Sequence, residues 1–119
     1  MTTELKKRPI KKEEKELIQH LLKKANLSEK DYPISDTAFE YEGGKMGSIN
    51  LVNENEGEYD SDIIQAQYID DDDVIVMITL TKDKNNQLLD LDFWKVNFEK
   101  LNKYPKPEEL AFDNFKEIR

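Results

Sequence analysis

The sequence predicts an α+β domain, in which an antiparallel sheet of about four strands packs against an N-terminal helix and a short C-terminal helix closes one side. Three stretches carry that prediction. Ile75 to Phe98, IVMITLTKDKNNQLLDLDFWKVNF, reads as one long β-hairpin. Lys12 to Ala25 places Leu17, Ile18, Leu21, Leu22 and Ala25 on one helical stripe. After Pro107, which suits a first helical turn, Ala111, Phe115 and Ile118 recur at helical spacing.

Residues 1 to 9 read as a loose basic arm, with Lys6, Lys7 and Arg8 exposed to solvent. The first helix follows with Lys11 as its N-cap. Lys11 has no acceptor oxygen, but Glu14 at the third helical position can reach back to the cap N–H, giving half a capping box. Glu13, Glu14 and Glu16 sit near the positive end of the helix dipole and Lys23 and Lys24 near the negative end, with Asn26 as the stop. His20, the single histidine, falls on the polar side without a placed partner and reads as a solvated surface residue.

Leu27 to Glu42 is a connecting region in which Phe39 and Tyr41 alternate with Glu40 and Glu42, a pattern for a brief or edge strand. The run Gly43-Gly44-Lys45-Met46-Gly47-Ser48 superficially resembles a phosphate loop but lacks its spacing, and Ile49 to Val52 behind it reads as strand rather than helix. Asn53 to Ser61 reads as an acidic solvent loop. Asp62 to Ile69 is the next strand, joined to the hairpin through Asp70-Asp71-Asp72-Asp73. Those four carboxylates lack the alternation, glycine and terminal Glu of a calcium loop, so no metal is expected there.

Within the hairpin, Val74 to Lys82 and Gln87 to Val96 are the strands and Asp83 to Asn86 the turn. Pairing Lys82 with Gln87 sets Leu80 against Leu89, Ile78 against Leu91 and Val76 against Phe93. A two-residue Asn85-Asn86 turn shifts the pairing by two and keeps the same apolar face. The opposite face carries Ile75, Met77 and Thr79 with Asp90, Asp92 and Trp94. A two-residue Asp71-Asp72 turn would place Tyr68 beside Ile75 and Met77 on that second face. It would then be greasy, which leaves three readings: a β-bulge at the acidic turn that swaps the faces, partial cover on both faces, or a binding surface.

A chain of 119 residues fits a single domain over 1–119. The absence of cysteine excludes disulfides, thiolate metal sites and cysteine nucleophiles. No run is long enough for a membrane span, and the basic N-terminus lacks the apolar stretch of a signal peptide, so a cytoplasmic location is expected. The net charge of −8 is unevenly spread: residues 1–30 hold nine Lys and Arg against five Glu, and the remainder is strongly acidic. An acidic body repels nucleic acid and suits a basic protein partner.

Asp90, Asp92 and Trp94 form the candidate constellation, since alternate strand residues stand roughly 7 Å apart on one face. As an enzyme, Asp90 and Asp92 would be a carboxylate pair beside Trp94, but no nucleophile, histidine or phosphate cradle accompanies them, and no catalytic residue or cofactor is assigned. As an interface, Trp94, Met77, Ile75 and Tyr68 would be the apolar centre and Asp90 and Asp92 the charged rim.

The order EEKELIQHLL, GGKMGSINLV and DDDVIVMITLTKDKNNQLLDLDFWKVNFEKLNKYP resembles a family of short bacterial proteins of unknown function, from about Arg8 to Pro105 and most specifically in LDLDFWKVNF. This chain departs from that family's usual pattern at Lys11, at Asn85-Asn86 and at Asp90. The resemblance implies a soluble bacterial α+β protein and brings no catalytic residues. Small acidic bacterial proteins of this kind include immunity partners of secreted toxins, so the expected function is non-catalytic binding of a basic protein. The alternative is a small-molecule-binding or hydrolytic protein using Asp90 and Asp92.

Overall fold

In the computed structural model, which describes residues 6–40, 47–51 and 58–112, the elements follow in chain order as β1 (Lys6–Pro9), α1 (Lys12–Lys24), β2 (Thr37–Glu40), β3 (Ile49–Asn50), β4 (Tyr59–Ile69), β5 (Ile75–Asp83) and β6 (Leu88–Lys95). The six strands make one antiparallel sheet in the order β1-β2-β3-β6-β5-β4. Two strands more than expected therefore join it, and the meander is confined to β4, β5 and β6. β3 instead lies beside β6, with Ile49 opposite Leu91 and Asn50 opposite Asp90.

Residues 6–9 are a paired edge strand rather than part of a loose arm. Arg8 is the reason. Its guanidinium donates two hydrogen bonds to the buried Glu14 carboxylate, at 3.0 and 2.7 Å, and a third to Glu40, joining β1 to α1 and to β2. Glu14 also accepts the Lys11 N–H at 2.9 Å, the half capping box that the sequence predicts. The helix ends as expected, with Asn26 in the left-handed region at φ 62°.

The long hairpin pairs Leu80 with Leu91, Ile78 with Phe93 and Val76 with Lys95, the register of the Asn85-Asn86 alternative, with a bulge between Leu80 and Lys82 on the way to the turn. Its inner face holds Val76, Ile78, Leu80, Leu91 and Phe93, all buried against Leu17, Ile18, Leu21 and Leu22 of α1.

At the acidic turn the connection is one residue longer than the two-residue loop. Asp70 N–H donates to the Val74 carbonyl at 3.0 Å, Asp73 N–H to the Asp70 carbonyl at 2.9 Å, and Asp73 takes φ 65°. This is a three-residue hairpin loop closed by a left-handed residue. Because side chains alternate, the extra residue swaps the faces of β4. Tyr68 pairs with Val76 and Ala66 with Ile78, both turned into the core, while Gln67 and Ile69 take the outer face beside Met77 and Ile75.

β4 begins at Tyr59, earlier than expected. The C-terminal helix does not form over its described part: Pro107–Glu109 is a single 3-10 turn, and Ala111 makes an antiparallel bridge to Gln67 on the β4 edge. Phe115 and Ile118 lie outside the described residues, as do Tyr41 and Glu42 of the expected brief strand, residues 43–46 of the glycine-rich run, and Val52 with residues 53–57 of the expected acidic loop. Gly47 has φ 90°, and a Cβ there would make only ordinary contact with the Leu101 side chain, at 3.4 Å, so it is the backbone that asks for glycine.

Candidate functional site

The outer face of the β4-β5-β6 meander is built by strict cross-strand rows. Ile69 opposes Ile75, whose carbonyl accepts the Val96 N–H at 3.0 Å; Gln67 opposes Met77, which opposes Trp94. Alternation that buries one face leaves this one outward. Trp94 is 49% exposed and Phe98 59%, and Ile69, Ile75 and Val96 are exposed as well, with Met77 half-buried. The Trp94 and Phe98 rings meet edge to face, centroids 5.0 Å apart at 73°. Single exposed apolar residues are ordinary, but a contiguous group of five is a surface that water solvates poorly.

The structure brings Trp94, Met77 and Ile75 together as expected and removes Tyr68 from the group. Tyr68 is 2% exposed, packs on the other side of the sheet, and donates its hydroxyl hydrogen to the Lys103 carbonyl at 2.9 Å. The cause is the longer acidic loop. Ile69, Val96 and Phe98 are members that the sequence reading did not assign; for Ile69 the signal depended on that same loop length.

Asp90 and Asp92 point outward on β6 but are engaged locally. Asp90 accepts from the Asn50 amide at 3.0 Å, and Asp92 accepts from the Ser48 hydroxyl at 2.9 Å. Ser48 Oγ also accepts the Phe93 N–H at 2.8 Å, so these contacts strap the chain before β3 to β6. Asp92 is exposed beside Trp94, while Asp90 is half-buried.

Behind this face lies a buried ion cluster. Lys95 occupies the inward parity of β6, is 0% exposed, and donates to Asp70 at 2.9 Å, to Asp72 at 2.8 Å and to the Lys100 carbonyl at 3.1 Å. Asp70 also accepts backbone N–H groups from Asn102 at 2.8 Å, Lys103 at 3.1 Å and Asp71 at 2.7 Å. Burial alone would raise the Asp70 pKa, but the Asn102 N–H and the Lys95 ammonium outweigh it and leave the pKa lowered. The Lys95 hydrogen bond lowers Asp72. For Lys95, burial opposes the charge, yet the bonds to Asp72 and Asp70 prevail and raise its pKa. Two carboxylates of the acidic run thus close on an ammonium of the same chain. A lysine at a core-facing position beside four aspartates was the available sequence signal.

A cavity of about 290 Å³ lies elsewhere, lined by Arg8, Glu14, Glu40, Ser48 and Tyr104 among others. The Tyr104 hydroxyl is buried without a hydrogen-bond partner among the described residues, and burial pushes its pKa upward. Neither Asp90 nor Asp92 lines this cavity. His20 is half-buried, its ring 5.9 Å from that of Phe112, and burial together with Lys24 and Lys23 lowers its pKa. Among the described residues no three His, Asp or Glu side chains gather to hold a metal ion, and no helix is long and apolar enough to cross a membrane.

No curated protein and no solved structure matches the chain. The family described as Domain of unknown function (DUF6984) matches residues 7–105, which include β2, β3 and the whole meander with its apolar outer face. The chain belongs to that family, DUF6984.

Proposed function

We propose that this chain is a non-catalytic protein-binding module that takes a basic partner on the outer face of β4, β5 and β6, with an immunity-like role as its specific form. The observation that carries the reading is the contiguous exposed group of Trp94, Phe98, Val96, Ile75 and Ile69. An interface centre needs apolar anchors that lose water on contact, with a charged surround that steers the encounter. Asp92 beside Trp94 supplies negative charge at one end of the group, and the acidic loop beyond Ile69 and Ile75 supplies it at the other, where Asp73 is exposed and the four aspartates outnumber their partners Lys95 and Lys103. The net charge of −8 disfavours a second copy of this chain or a nucleic acid as occupant. Asp90 and Asp92 then act as rim and strap residues.

The alternative, a small-molecule-binding or hydrolytic protein using Asp90 and Asp92, draws support from the cavity but not from those two carboxylates, which bond to Asn50 and to the cavity-lining Ser48 and do not themselves line it. A photo-crosslinking residue at position 75 separates the readings. It should trap a basic protein, and the adduct should disappear when Trp94→Glu is added. Equal adducts in both proteins, or none, would contradict the binding role.

A further inference from the structure

Phe98 combines properties that the fold does not ask of it. Its side chain is 59% exposed, and its backbone sits at φ 65°, a region that bulky L-residues disfavour and that glycine or asparagine enters readily. Its ring partner is Trp94, itself half in water. Little burial is therefore gained in exchange for the strained backbone.

The turn that presents Phe98 is nonetheless fixed at both ends. Phe98 N–H donates to the Lys95 carbonyl at 2.8 Å, and Glu99 N–H donates to Asn97 Oδ1 at 3.0 Å. Beneath it, the Lys95 ammonium spans from Asp70 and Asp72 to the Lys100 carbonyl, so one buried side chain ties β6 to the segment just beyond the turn. The aromatic pair is held in place by the backbone and by this clasp. Strain of this sort at an exposed aromatic points to a contact made outside the chain.

We infer that Trp94 and Phe98 form a preorganised anchor that receives an apolar side chain from a Lys- or Arg-rich segment of a partner protein, with Phe98 placed for that contact and not for the fold. The inference rests on the binding role proposed above and names its hot spot and the chemistry of what enters it. Fixing the pair in advance removes ordering cost at the moment of binding. Exposed Asp92 on one side and, on the other, exposed Asp73 in a loop whose four aspartates outnumber their partners Lys95 and Lys103 select for positive charge flanking the apolar residue.

The test is Phe98→Asn, which keeps a residue that tolerates the left-handed turn and deletes the ring. The probe is a synthetic amphipathic peptide of leucine and lysine, with a lysine-only peptide of equal charge as control, and calorimetry as the readout. The melting temperature of the variant should equal or exceed that of the unaltered protein, while the Kd for the leucine–lysine peptide should rise at least about tenfold. The control peptide should bind more weakly to both proteins. A lower melting temperature would assign Phe98 to the fold and overturn the inference. Binding that survives Phe98→Asn but is lost in Trp94→Glu would overturn the role of Phe98 and leave the outer-face reading standing, whereas no binding by the unaltered protein would overturn both.

Discussion

Lys95 and Asp70 are both fully withdrawn from water, and each holds the other's charge in place. Their roles in stability are unequal. Without Lys95, Asp70 would keep three backbone N–H donors; without Asp70, those three N–H groups and a buried ammonium would lose an acceptor together. Asp70→Ala should therefore destabilise the fold by about 3–5 kcal/mol, and more than Lys95→Met does, as urea midpoints would show. The pH dependence follows from the same groups. The folded pKa values of Asp70 and Asp72 lie below their ordinary value, so the stability they contribute is complete above about pH 4 and is lost as pH falls through the depressed values. Lys95 acts at the other end, its contribution being complete below its ordinary pKa and lost as pH rises through the raised one. Asp70→Ala should flatten the acid limb of the urea midpoint; an unchanged limb would mean that Asp70 is not the titrating group.

At the scale of elements, the acidic loop decides what the outer face is made of. Alternation in Val76, Ile78, Leu80, Leu91 and Phe93 made the buried face of the hairpin legible from residue types alone, and the stripe of α1 was equally plain. The count of residues in the connection between β4 and β5 was not, because Asp70 to Asp73 look alike and only the left-handed Asp73 distinguishes a three-residue loop from a two-residue one. That single residue moves Tyr68 from the candidate face into the core and brings Ile69 out. β1 was hidden for a different reason: KKRP has no strand pattern, and its pairing goes with Arg8 reaching Glu14 in the first turn of α1 and Glu40, a partner remote along the chain. The described part of the C-terminal segment bonds to the β4 edge instead of coiling, since Gln67 offers Ala111 both a donor and an acceptor. Asp73→Gly should stabilise the protein by roughly 0.5–1 kcal/mol by relieving the left-handed backbone. A loss of stability of that size would show that the Asp73 side chain matters more than its conformation.

Across the whole molecule, one face of the sheet lies under α1 and the other carries an apolar group that no described helix covers. Net charge sets what such a face can meet: at −8, approach by another acidic surface is opposed and approach by a basic one is assisted, an effect that salt should weaken. Trp94 is the single tryptophan and stands in the middle of that face, so its emission reports on the face directly. The measurement to make is acrylamide quenching of the free protein. Red-shifted emission with efficient quenching is the predicted result, the behaviour of an indole half in water on an open binding surface. Blue-shifted, protected emission would mean that the face is covered, and would contradict the claim that it is where a partner binds.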